Sequence, residues 1–318
     1  MRPSVAPSGG DAGDRGEGWR VAGLIALLFA FSTISTAVLI GLPFVLLVLV
    51  LPARRIGALL LAALMLVMVI GGGGGSGLWY AERGWGMLIG GWFVALTLRR
   101  PGSPVSQRAM MAALGATGTA IAYFALRPMA WAVVDWRIAE RIRRGVRTTL
   151  EAIEALRGEA VSPRLVDAVR ATAETQAELF PALVALASMA GLGVAWWLYT
   201  RLALGRRGAL RPLANFRFND HWVWLFVGGL LALILGLGEL WTRAGSNAVL
   251  FMGALYALRG AAVVLFVNGG ISALGVVTLA LGMMFLAPVI LAGALVIGLG
   301  DTWLDIRTRA TRTVESGR

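Results

Sequence analysis

Between Gly260 and Gly300 the chain runs forty-one residues without a formal charge. As a helix rising ~1.5 Å per residue, that is ~60 Å of apolar rod. A bilayer's hydrocarbon layer is ~30 Å thick and takes ~20 apolar residues per crossing, so this tract enters a membrane, turns and enters again. Asn268, Gly269 and Gly270 supply the expected turn. The stretch after it, 271–300, contains Pro288 and is expected to be tilted, kinked or broken.

Similar stretches recur along the chain. An uncharged run over 21–53 is expected to split near Gly41, Leu42 and Pro43 into a full crossing, 21–40, and a short apolar segment. Residues 56–70 predict the next helix, and the glycines of 71–77 a flexible loop. Residues 78–98 follow, with Trp79, Tyr80 and Trp85 near the start, where amphipathic rings anchor at headgroups. Further crossings are expected at 109–126 and 181–200, from Trp222 and Trp224 to about Glu239, and at 247–267. Arginines in the intervening loops (Arg54, Arg55; Arg99, Arg100, Arg108; Arg201 to Arg217) and in the tail (Arg307, Arg309, Arg312) read as cytoplasmic by the positive-inside pattern. Three apolar stretches separate the last two groups, whereas an even number is needed. A break at Ala287 and Pro288, a re-entrant segment or an external C-terminus would each resolve the count.

The pattern changes between Asp135 and Glu178, where eight arginines and eight acidic residues cancel. Ile138, Ile142, Val146, Leu150, Ile153 and Leu156 recur at helical spacing. Ser162 and Pro163 look like the N-cap and first residue of a second helix. The fold class expected is therefore all-α: a polytopic transmembrane bundle of about eight crossings with an extramembrane amphipathic helical hairpin. Its expected divisions are a disordered N-terminal tail (1–18), N-terminal membrane helices (19–134), the excursion (135–180), C-terminal membrane helices (181–306) and a charged tail (307–318).

Composition agrees with a lipid solvent: 58% of the 318 residues are hydrophobic and mean hydropathy is +0.76. The formal charge is +12, carried by arginine with no lysine. These arginines lie in short loops between apolar tracts, which argues against nucleic acid as a partner and for the bilayer. With no cysteine and one histidine, His221, thiolate and multi-histidine metal sites are excluded. No cofactor or metal is expected. No zinc-protease or serine-hydrolase motif is present, nor a phosphate-binding loop, so the chain reads as a non-enzyme and any ATP hydrolysis would belong to a partner.

Candidate chemistry centres on Arg259, an ionisable residue within an otherwise apolar stretch. Such a residue is a functional-site hypothesis by default; the alternative is that it snorkels to an interface. Tyr256 lies one turn before it, with Glu239 and Asp301 as possible partners and Asn247 a further polar residue of the C-terminal half. Asp301 and Asp305, four apart, would share a helix face, with Arg307 following. Glu82 and Arg83 look like a local ion pair, and Asp220 with His221 like a helix start. Small residues four apart form stripes at Ala22, Ala26 and Ala30, at Gly86 and Gly90, and at Gly253, Ala257 and Ala261. Their default role is close helix packing. Ser32 and Ser35, with Thr33 and Thr36, add a hydroxyl cluster suited to lining a polar cavity or to bonding back to helix carbonyls.

Trp222, Asn247, Arg259 with Gly260, and the ending from Gly298 through Asp301, Asp305 and Arg307 resemble the YybS-like family of bacterial membrane proteins. The family's plan is similar to the substrate-binding S components of energy-coupling-factor transporters, in which an Ala-x-x-x-Ala stripe on the first helix docks to a membrane coupling subunit served by an ATPase. Ala22, Ala26 and Ala30 match that spacing. The resemblance implies a multi-pass protein of the bacterial inner membrane with transport-related small-molecule binding. The other reading is an envelope scaffold that recruits partners.

Overall fold

The computed structural model describes residues 34–71, 77–157, 162–206, 216–307 and 309. Among them there are helices and no strand. In chain order these are α1 (Thr36–Val50), α2 (Ile56–Gly71), α3 (Gly77–Arg99), α4 (Val105–Leu126), α5 (Pro128–Arg157), α6 (Pro163–Leu198, continued by a wide turn, Tyr199–Ala203), a short turn of helix (Asp220–Trp222), α7 (Val223–Leu235), α8 (Glu239–Val267) and α9 (Ala273–Leu304). Among the described residues, four segments are long and apolar enough to cross a bilayer: Val105–Leu126, Pro163–Ala203, Glu239–Val267 and Leu274–Leu304. Thr36–Val50, Ile56–Gly71 and Asp220–Leu235 are shorter apolar helices.

The expected split at Gly41 to Pro43 does not occur, because α1 runs through it. Pro43 cannot donate to the Leu39 carbonyl one turn earlier. Gly191 of α6 packs there instead: a Cβ on it would lie 2.9 Å from the Leu39 oxygen. Lipid provides no hydrophobic drive for helix association, so bundles depend on such close van der Waals contact. The Gly86 and Gly90 stripe of α3 does the same against Val38, Leu42 and Pro43. α1 is thus enclosed, and its Phe44 and Leu47 join Ile89, Phe93 and Leu192 in one core cluster. Trp85 of α3 donates to Ser188 of α6 at 2.8 Å, and Trp92 to Thr119 of α4 at 3.2 Å.

The amphipathic face read from α5 is buried over its first half, where Ile138, Ile142 and Val146 pack with Val169, Ala173 and Phe180 of α6, but it does not hold to the end of the helix, where Leu156 is exposed. Ser162 and Pro163 do open α6, although the serine side chain makes no capping bond. α6 does not restart at Pro181 but continues to Leu198, 36 residues or ~54 Å, well beyond a ~30 Å hydrocarbon layer.

The C-terminal helices differ more from expectation. Glu239 opens α8 instead of ending the preceding helix, which stops at Leu235. The turn after α8 falls at Asn268, with Gly269 and Gly270 at φ 67° and 119°, a region glycine enters without strain. α9 departs from helical geometry at Leu286 (φ −126°, ψ 22°), two residues before Pro288. The bend is sharp: Ile290 Cδ1 would lie 3.0 Å from a Cβ on Gly282, although eight residues of straight helix span ~12 Å. A straight antiparallel return would set residues near 280 beside Gly260. Instead, Gly260 meets Ala294 and Gly298, so the first half of α9 is an arm diverted before the chain returns to α8.

Candidate functional site

The crossing of α8 and α9 is close because both faces are glycine. A Cβ on Gly298 would lie 1.9 Å from the Tyr256 carbonyl, and one on Gly260 1.8 Å from that of Ala294. That approach brings Arg259 to Asp301. Arg259 is fully buried, so it does not snorkel. Its Nε donates to Asp301 Oδ2 at 2.9 Å and its Nη1 to Asp220 Oδ1 at 2.5 Å, and its guanidinium lies 5.5 Å from the Phe218 ring centroid. Asp301, also buried, receives Arg307 Nη2 at 3.4 Å on the same oxygen, and Arg307 donates to the Phe216 carbonyl at 2.9 Å. Arg217 and Asp305 pair at the rim, 2.9 Å apart. Three arginines thus face three aspartates, which ties the segment before α7 to α8 and the end of α9.

Burying the Arg259–Asp301 pair costs desolvation that is recovered only when the remaining donors and acceptors are met. Among the described residues Arg259 Nη2, a donor, and Asp301 Oδ1, an acceptor, have no partner. The Tyr256 phenol is also buried; it faces the Thr302 hydroxyl and its ring stands edge-on to Phe218 and Phe226. One ion pair therefore carries an uncommitted donor and an uncommitted acceptor beside a phenol, a set that matches one small polar molecule offering both. Beyond the end of α9, burial lowers the pKa of Arg307 from its ordinary value, and the Asp301 charge opposes that shift.

The sequence candidates do not all meet here. Tyr256, Arg259, Asp301 and Arg307 come together, and Asp305 stands at the rim. Asp305 does not share a helical face with Asp301, because it caps α9 in the left-handed region (φ 42°) and turns to Arg217. Glu239 begins α8 twenty residues away, ~30 Å along the helix, and is no partner of Arg259. Ser35 is exposed at the start of α1. Ser32 and the Ala22, Ala26 and Ala30 stripe lie outside the described residues. Asp220, read only as a helix start beside His221, belongs to the network; its signal was an acid just ahead of an apolar helix. His221 Nδ1 sits 2.8 Å from Asn219 Oδ1.

Asn247 serves a second polar cluster, twelve residues and ~18 Å back along α8. Pro181 leaves the Ala177 carbonyl without its helical donor, and Arg243 Nη2 supplies one at 3.2 Å while its guanidinium grips both Asp135 oxygens at 3.1 and 2.5 Å. Asn247 donates to the Glu178 carbonyl at 2.9 Å and accepts from the Ala182 N–H at 2.9 Å. Those are the two groups an unbroken helix would join directly. Elsewhere Glu82 pairs with Arg141 of α5, while Arg83 turns back to the Val69 carbonyl and the Trp79 ring. Adjacent helical residues do not face each other, which is why the expected Glu82–Arg83 pair is absent.

Residues 20–302 match the model of a family described as predicted membrane protein (DUF2232), and the chain belongs to that family. No curated protein and no solved structure matches it.

Proposed function

We propose that this member of the DUF2232 membrane-protein family is a transport-related, non-catalytic protein of the bacterial inner membrane, crossing it about eight times, in which Arg259, Asp301 and Tyr256 hold a small polar solute. One observation carries the reading: a fully buried arginine in a membrane-length helix whose Nη2 lacks a partner while its own counter-ion keeps a free oxygen. Ionisable groups held inside a membrane bundle commonly mark solute or ion pathways, and a bent helix beside them fits the broken helices of transporters. Here α9, bent at Leu286, presents Asp301. The YybS-like resemblance and the S-component likeness support the same reading, with Ala22, Ala26 and Ala30 as the docking stripe for a coupling subunit and its ATPase. The α5 helix and the start of α6 form the extramembrane hairpin.

Mild-detergent purification of the tagged protein from its native host, with mass spectrometry of co-purifying proteins and small molecules, tests this. Recovery of an ATPase with its membrane subunit, or of a metabolite lost in Arg259→Gln, is expected. Recovery of envelope proteins alone, with no ligand, would favour the scaffold reading, which the three exposed arginines Arg143, Arg144 and Arg147 around Glu140 support.

A further inference from the structure

An open groove of about 410 Å³ lies between the start of α3 and the start of α5, lined by Leu78, Met129, Val133 and Val134 with Gly77 and Arg137 at its edge. Its volume is in the ~300–1,000 Å³ range of ligand pockets. The walls are aliphatic and the rim is cationic. The acids around it are committed: Asp135 to Arg243, Glu140 to Arg143 and Arg144, and Glu82 to Arg141. Arg137 is half-buried and has no ion pair or hydrogen bond to another described residue. Its guanidinium lies against the backbone of Gly77, where a Cβ would be 1.7 Å from Nη1, so glycine is what gives it this seat. Tyr80 of α3 and Trp136 of α5 are exposed on the same two helices, and Tyr123 is exposed near the end of α4, the composition of a headgroup belt.

From this we infer that the groove binds one anionic phospholipid, with its phosphate on Arg137 and an acyl chain along Leu78, Met129 and Val133. An arginine presents a planar fork of donors that phosphate oxygens accept in pairs, and the aliphatic wall has no use for a soluble anion. The site is separate from the Arg259 network, so it stands or falls independently of the transport reading.

The test is native mass spectrometry of the full chain in micelles supplied with equal phosphatidylglycerol and phosphatidylcholine. One retained phosphatidylglycerol is expected, preferred about tenfold, the size of a charged hydrogen-bonded contact. Arg137→Gln should abolish the preference, Arg137→Lys should keep most of it, and Val133→Trp should reduce retention of both lipids by filling the groove. Arg143→Gln, on an exposed arginine, should change nothing. Equal retention of the two lipids, or equal loss in Arg143→Gln and Arg137→Gln, would overturn the inference. So would a photo-crosslinker at Val133 that captures the chain's own residues instead of lipid. If Arg137→Gln does not purify as a single species, Arg137→Lys and Val133→Trp decide.

Discussion

Asn247→Ala should loosen the contact between α6 and α8 through the backbone that Pro181 disrupts. The carboxamide makes three bonds, to the carbonyls of Glu178 and Arg243 at 2.9 and 2.8 Å and from the Ala182 N–H at 2.9 Å. A net value of ~1 kcal/mol per bond in protein interiors, or ~0.6 between membrane helices, gives a loss of ~2–3 kcal/mol. The cause can be isolated by a double-mutant cycle with Pro181→Ala. Alanine restores a donor to the Ala177 carbonyl and removes the ring that crowds it, so α6 regains its own ladder and depends less on Asn247. The cost of Asn247→Ala should then fall by at least ~1 kcal/mol, a coupling typical of residues sharing a network. Reversible unfolding in mixed micelles, followed by circular dichroism, measures all four corners. A loss below ~0.5 kcal/mol in the natural background, or strictly additive losses, would refute the bridging role.

Three further outcomes follow from the same geometry. Gly298→Ala should destabilise by ~1–3 kcal/mol as an overpacked contact, since its Cβ meets the Tyr256 carbonyl, whereas Gly293→Ala, with open space around it, should be neutral or slightly stabilising; paired thermal melts compare them. Arg259→Met alone should cost ~3–5 kcal/mol by leaving the buried Asp301 short of its main partner, and adding Asp301→Leu should recover part of that loss in the same assay. Glu82→Gln should weaken attachment of α5 to α3, read as faster proteolysis within 143–157, with Arg143→Gln as the unaffected control.

Helix existence was legible wherever the apolar pattern was long or strongly periodic, as for α4 and the buried stripe of α5. Prolines misled as boundaries. At Pro43 and Pro181 the helix continues because a neighbouring helix meets the disrupted backbone, Gly191 against Leu39 in one case and Arg243 with Asn247 in the other. Such compensation comes from residues more than sixty positions away and leaves no local trace. Near Pro288 the opposite holds: no such partner is found among the described residues, and the helix bends at Leu286. The candidate site was half legible. Arg259 stood out by its charge in an apolar stretch, and Asp301 by its place at the next helix end. Asp220 did not, since its pairing depends on how the turn before α7 folds over α8. Glu239 stands on the same helix as Arg259, and twenty residues of that helix keep the two apart.

Tyr256 is fully buried, yet a transport site must open. The natural chain has no cysteine, so Tyr256→Cys in native membranes provides a single reporter, with Val264→Cys, exposed on the outer face of α8, as its control. Labelling by a small water-soluble thiol reagent over minutes, from one side of the membrane and slowed by bound solute, is the result expected of a solute site at Arg259 and Asp301. Complete protection from both sides, with the protein folded and the reagent active, would contradict it and leave the network a structural latch.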